Sequence, residues 1–155
     1  MSAAAGSPFG GAQIWQPALD RNAEIFSGMV PGAAVGFVAR SGSGLQPGKH
    51  VGGLEQAGGS GEMLVWEMGE HGMRAQLRTY TGFQQGGIDL LFVAEEAAIA
   101  AMHGARDGEL LSQVKRLIRS GAIMFYVMRT KYELQDAGYE DFLDTLGLAF
   151  LGACR

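Results

Sequence analysis

The chain has 155 residues and a formal charge of −4, with hydrophobic residues at 47% and charged residues at 18%. That length is one domain's worth and can bury a core without staples; the apolar content excludes wholesale disorder, and the acidic balance gives no overall pull toward nucleic acid or anionic lipid. A single cysteine excludes an intrachain disulfide framework and a multi-thiolate zinc site, and no apolar run reaches the roughly 18 residues of a membrane span.

Residues 1–11 are small, with Pro8 and two late glycines, and predict a flexible N-terminal tail ahead of one domain over 12–155. The start lacks the positive charge and apolar core of a secretory signal, so cytoplasmic residence is expected. A free Cys154 and eight methionines suit a reducing interior. Nineteen of the 25 glycines fall in residues 1–87, and most of the charge falls after residue 60. The chain therefore divides into a Gly-rich, weakly charged extension and a conventional, helix-prone back.

In chain order, Ile14, Trp15, Leu19, Ala23 and Phe26 predict one face of a short helix over 12–27, with Pro17 in its first turn and Gly28 and Pro31 stopping it. Residues 33–39 read as a buried strand. Residues 41–61 hold eight glycines and predict a long loop. Residues 62–68 read as a strand bounded by glycines. Residues 73–81 alternate as a strand through Met73, Ala75, Leu77, Thr79 and Thr81, and repeat as a helix through Met73, Leu77 and Tyr80; strand is favoured by the run Thr79-Tyr80-Thr81.

Residues 88–94 form an almost continuous apolar run, the pattern of a strand covered on both faces. An Ala-rich helix follows from Glu95 to His103. After Gly104 and Gly108, with Asp107 as its expected cap, a second helix carries the stripe Leu110, Leu111, Val114, Leu117 and Ile118 and ends at Ser120-Gly121. Residues 122–128 read as a second fully apolar strand, and 131–151 as helix broken at Gly138. Two apolar strands joined by a crossover of this length predict a right-handed βαβ unit over 88–128. The fold expected is thus α/β: a single domain with a central sheet, helices packed on it and a Gly-rich N-terminal extension.

The unit from Ile88 to Gly138 resembles the DsrE/DsrF-like family of small sulfur-relay proteins. The matching text is Leu90-Leu91-Phe92-Val93-Ala94-Glu95-Glu96, then Leu110 through Ile118, Ser120-Gly121, and Ala122-Ile123-Met124-Phe125-Tyr126-Val127 with a helix from Lys131. The resemblance covers about a third of the chain and implies a small α/β subunit that assembles into oligomers. Where that family carries its persulfide cysteine, this chain has Met128-Arg129-Thr130, so the family's chemistry has no thiol there.

Candidate chemistry is sparse. Glu95 and Glu96 follow the first apolar strand, and Arg129 and Thr130 follow the second; on parallel neighbours these four would meet at the strand ends, where open α/β sheets gather ligands. They are the candidate ligand-binding residues, and Glu95, Glu96 and Arg129 the basis of a small-enzyme reading. Cys154, penultimate in the chain, is the one candidate reactive group, a swinging thiol for sulfur relay or disulfide exchange. His50, His71 and His103 lack metal-ligand spacing, so no metal is expected, and no cofactor motif completes itself in the glycines of 41–61. The basic positions Lys115, Arg116 and Arg119 lack interleaved aromatics, which argues against nucleic acid. Leu143, Leu146, Leu148, Phe150 and Leu151 leave few polar positions in the last helix and nominate 142–151 as a surface for a protein partner. The leading expectation is a soluble, non-catalytic binding or assembly subunit that forms a homo-oligomer, away from membranes.

Overall fold

The computed structural model describes residues 9–40, 62–79 and 87–148. Strands β1 (Ala34–Ala39), β2 (Glu62–Gly69), β3 (Gly72–Thr79), β4 (Leu90–Ala94) and β5 (Ile123–Val127) form one mixed sheet in the order β3-β2-β1-β4-β5. Helices α1 (Gln16–Arg21), α2 (Ala23–Phe26), α3 (Glu96–Gly104), α4 (Leu110–Ser120), α5 (Lys131–Asp136) and α6 (Glu140–Thr145) pack on it, which makes the domain α/β as its sequence predicts.

The period of two along each strand decides which side chains meet the helices. Val35, Phe37, Leu64, Trp66, Leu90, Phe92 and Ile123 face one way and join Leu19, Phe26, Met102, Val114 and Phe142 from the helices in the main core. Phe37 stacks on Phe92 at 4.9 Å and leans on Trp66 at 4.6 Å, and Phe26 bridges Trp66 to Phe142. The alternate residues Ala34, Val38, Met63, Val65, Leu91 and Val93 form a second buried cluster on the opposite face, to which none of the described helices contributes. That two-sided burial is why β1 and β4, and residues 63–66 of β2, read as unbroken apolar runs.

One topological expectation is overturned. β4 and β5 are antiparallel, with Leu90 opposite Val127 and Ala94 opposite Ile123, so residues 88–128 are not a βαβ unit. A single crossover helix returns the chain to the end of the sheet where the first strand began. Here α3 and α4 run as a helical hairpin, out and back, and deliver the chain to the end it had just left. The parallel pair in this sheet is β1 with β4, in the register Val35–Leu90.

Smaller differences have local causes. The 12–27 segment is a 3-10 turn (Ala12–Ile14) followed by α1 and α2, parted at Asn22, whose side-chain amide donates to the Ala18 carbonyl at 2.7 Å. Pro17 does sit in the first turn of α1. Residues 73–79 are strand, as favoured. Asp107 begins a 3-10 turn and does not cap α4, which starts with no side-chain cap. β5 is an edge strand with only Ile123 fully buried, so it is covered less than its apolar sequence suggests. The helix expected over 131–151 breaks at Gly138, as predicted, into α5 and α6, and α6 stops at Thr145. Of the tail expected over 1–11, Phe9 is fully buried and its carbonyl accepts from the Trp15 indole at 2.9 Å, and residues 1–8 lie outside the described residues. The loop expected at 41–61 lies outside the described residues.

Candidate functional site

The two ends of the central parallel pair carry different chemistry. At the carboxyl end, β1 gives Arg40 and β4 gives Glu95, and the two form an ion pair at 2.9 Å between partly exposed side chains. Exposed pairs of this kind contribute about 0–1 kcal/mol. Glu96 stands in the first turn of α3, where a carboxylate suits the helix dipole.

At the amino end stands a denser group. Asp89, just before β4, is 8% exposed and is the one charged side chain in the buried core of the described residues. Its Oδ2 accepts from the Tyr139 hydroxyl at 2.6 Å and from the Ala34 backbone N–H at 3.1 Å; its Oδ1 accepts from Arg129 Nε at 2.8 Å. The Ala34 carbonyl lies 3.1 Å from the same hydroxyl. Burial pushes the Tyr139 phenol far above its ordinary range, and the hydrogen bond and charge of Asp89 add to that. The hydrogen bond from Arg129 to Asp89 raises the guanidinium further and holds it charged. The backbone closes the group, since Met128 N–H donates to the Asp89 carbonyl at 2.9 Å.

This arrangement separates the four nominated residues. Because β5 runs antiparallel to β4, Arg129 and Thr130 lie at the end opposite Glu95 and Glu96, about 16 Å away along a five-residue strand. Arg129 binds Asp89, and Thr130 caps α5: its Oγ1 accepts from Glu133 N–H at 3.1 Å while its own N–H donates to Glu133 Oε1 at 2.8 Å. Asp89 and Tyr139 were not singled out by sequence reasoning. The available signal was a lone acid inside the run Ile88-Asp89-Leu90, which must find donors if the run is buried. Within the cluster the carboxylate has three donors and the phenol is held neutral, while Arg129, its side chain 44% exposed, engages Asp89 through Nε alone.

The remaining candidates carry less. A cavity of about 130 Å³ lies between α1 and α3, lined by Trp15, Ala18, Met102, His103, Asp107 and Leu110; it is well below the roughly 300 Å³ of a typical ligand site. His103 lies against the Trp15 ring at 4.8 Å. His71 is exposed in the β2–β3 turn, and Glu67 bonds Gln76 and Arg78 across the strand pair. Among the described residues no group of three His, Cys, Asp or Glu is gathered for a metal. Of the nominated apolar surface, Phe142, Leu143, Leu146 and Leu148 are buried in the main core; Phe150 and Leu151 lie outside the described residues, as do Cys154 and His50.

The two sheet edges differ sharply. On β3, the Gln16 side chain acts as a strand mimic: its Nε2 donates to the Met73 carbonyl and its Oε1 accepts from the Ala75 N–H, both at 2.9 Å. Arg74, Gln76 and Arg78 add polar groups along that strand. On β5 the residues Ile123 to Val127 include no charge, no proline and no glycine, and Met124 to Val127 are half-buried. Charges and capping side chains are the usual means of blocking edge pairing, and among the described residues β5 has neither. Comparison with protein-family models, with curated proteins and with solved structures found no match.

Proposed function

We propose that this protein is a non-catalytic binding or assembly subunit that works as a homo-oligomer. The observation that carries the reading is the asymmetry of the sheet among the described residues: on β3, Gln16 occupies the Met73 carbonyl and the Ala75 N–H and two arginines line the strand, whereas β5 is an uncharged, half-buried edge. The hydrogen bonding that engages the Asp89 carboxylate with three donors and the Tyr139 hydroxyl with Asp89 supports the non-catalytic part, because a general acid or base needs a free partner for substrate. The reading keeps one implication of the DsrE/DsrF-like resemblance, a small α/β subunit that assembles, and leaves out sulfur transfer.

The test is native mass spectrometry and sedimentation equilibrium of the full chain. A stable oligomer with no mass adduct, unchanged in Cys154→Ser, is expected. A monomer at about 100 µM, a concentration that populates any association tighter than about −5 kcal/mol, would overturn the assembly reading. A reductant-sensitive sulfur increment on Cys154 would replace it with a thiol carrier.

A further inference from the structure

We propose that two copies of this chain join through β5, edge to edge and antiparallel, about a two-fold axis at Phe125, so that their sheets continue into one. The inference rests on the homo-oligomer reading and names its interface.

The phase of the ladder comes from two bonds at the ends of β5. Glu95 N–H donates to the Ala122 carbonyl at 3.0 Å, and Met128 N–H donates to the Asp89 carbonyl at 2.9 Å. Residues of an antiparallel strand alternate between those turned to one neighbour and those turned away. Ala122, Met124, Tyr126 and Met128 therefore direct their backbone groups to β4. Ile123, Phe125 and Val127 direct theirs to the open edge, where no described strand lies.

A two-fold axis at Phe125 is the register that uses all three. Phe125 faces its own copy, and Ile123 faces Val127 on both sides of the axis. Each facing pair exchanges two N–H···O=C bonds, the close pairing of an antiparallel ladder. On the second face Met124 lies opposite the other copy's Tyr126, which extends an apolar surface across the axis. No charged side chain occurs from Ala122 to Met128, and Arg129 falls opposite Gly121, so no like charges are placed directly opposite each other. Self-complementarity of this kind favours a second copy over a foreign strand. It also limits the assembly: after pairing, the outer edges are both β3, where Gln16 occupies the Met73 carbonyl and the Ala75 N–H and where Arg74, Gln76 and Arg78 disfavour a further strand.

The experiment joins sedimentation equilibrium with hydrogen exchange of the full chain above and below its dissociation constant. A dimer is expected, with amides in 122–128 exchanging slowly when it is populated and faster on dilution. Val127→Pro deletes an outward-facing N–H and leaves the bonds to β4 intact, because proline is tolerated on the open side of an edge strand. It is expected to raise the dissociation constant at least about tenfold with the melting temperature of the protomer preserved. An oligomer whose 122–128 exchange ignores concentration, or one that V127P leaves unchanged, overturns the β5 interface while sparing the assembly reading. A monomer overturns both. If V127P does not fold, the exchange comparison on the unmodified chain decides.

Discussion

Replacing Tyr139 by phenylalanine removes one oxygen from the buried cluster and tests whether that cluster holds the domain together. The hydroxyl donates to Asp89 Oδ2 at 2.6 Å, and Asp89 is 8% exposed. A hydrogen bond to a charged group contributes about 1.5–3 kcal/mol, and an acceptor left short of donors adds a desolvation cost. Asp89 keeps Arg129 and the Ala34 N–H in the variant, which limits the loss. The expected destabilisation of Tyr139→Phe is therefore about 2–3 kcal/mol at pH 7. For a chain of this length about 1 kcal/mol moves the melting temperature by about 2–4 °C, so a fall of about 5–10 °C is expected. Urea unfolding should show a lower midpoint and an unchanged slope. Asp89→Asn and the double variant complete a cycle in which the two positions couple by at least about 1 kcal/mol. A Tyr139→Phe variant within about 0.5 kcal/mol of the parent, or strictly additive single losses, would refute the reasoning.

Three further outcomes follow from particular contacts. Because burial, with Asp89, holds the Tyr139 phenol protonated well above its ordinary range, the unfolded chain releases this proton from about pH 10 while the native chain keeps it. The stability this provides is complete below pH 10 and falls above it by up to about 1.4 kcal/mol per pH unit; urea midpoints from about pH 9 to 12 should show that slope, and Tyr139→Phe should flatten it. Gly138→Ala should prevent folding or cost more than about 4 kcal/mol, since Gly138 has φ +85° and an added Cβ would overlap the Gly28 carbonyl; Gly104→Ala, in open space on α3, should instead be neutral or stabilise by up to about 1 kcal/mol in the same thermal melts. Gln16→Ala removes both bonds that seal β3; a loss of about 1–2 kcal/mol with faster aggregation by light scattering is expected.

Local patterns carried much of the fold. The apolar runs at β1, β2 and β4, the stripe of α4 and the glycine stops at 121 and 138 each reflect the residue's own backbone preference or its near neighbours, and each lies where periodicity places it. Strand direction was not legible in the same way. The spacer between β4 and β5 has the length of a crossover, but direction depends on whether the chain reverses once or twice within it, and the breaks at Gly104 and Gly108 do not say which. Strand direction also decides which residues meet at the site. A parallel pair would have brought Glu95 and Arg129 together; the antiparallel pair gives Arg129 to Asp89, and the parallel β1 gives Arg40 to Glu95. Tyr139 was illegible for another reason: it meets Ala34 across 105 residues of chain, and no local signal reports a contact of that span.

The placement of β1 has a kinetic consequence. β2 and β3 meet through a two-residue turn, and β4 and β5 through the helical hairpin, so each pair can form from nearby chain. β1 must join one unit to the other, in parallel, across the 55 residues that separate Ala34 from Asp89. Loop-closure cost and contact order place such a seam after the local pairs. Stopped-flow measurements on Tyr139→Phe should therefore show most of the lost stability as faster unfolding, with the refolding rate little changed. On this account the Asp89 cluster acts as a catch set late in folding, and it governs how long the native protomer persists more than how quickly it is reached.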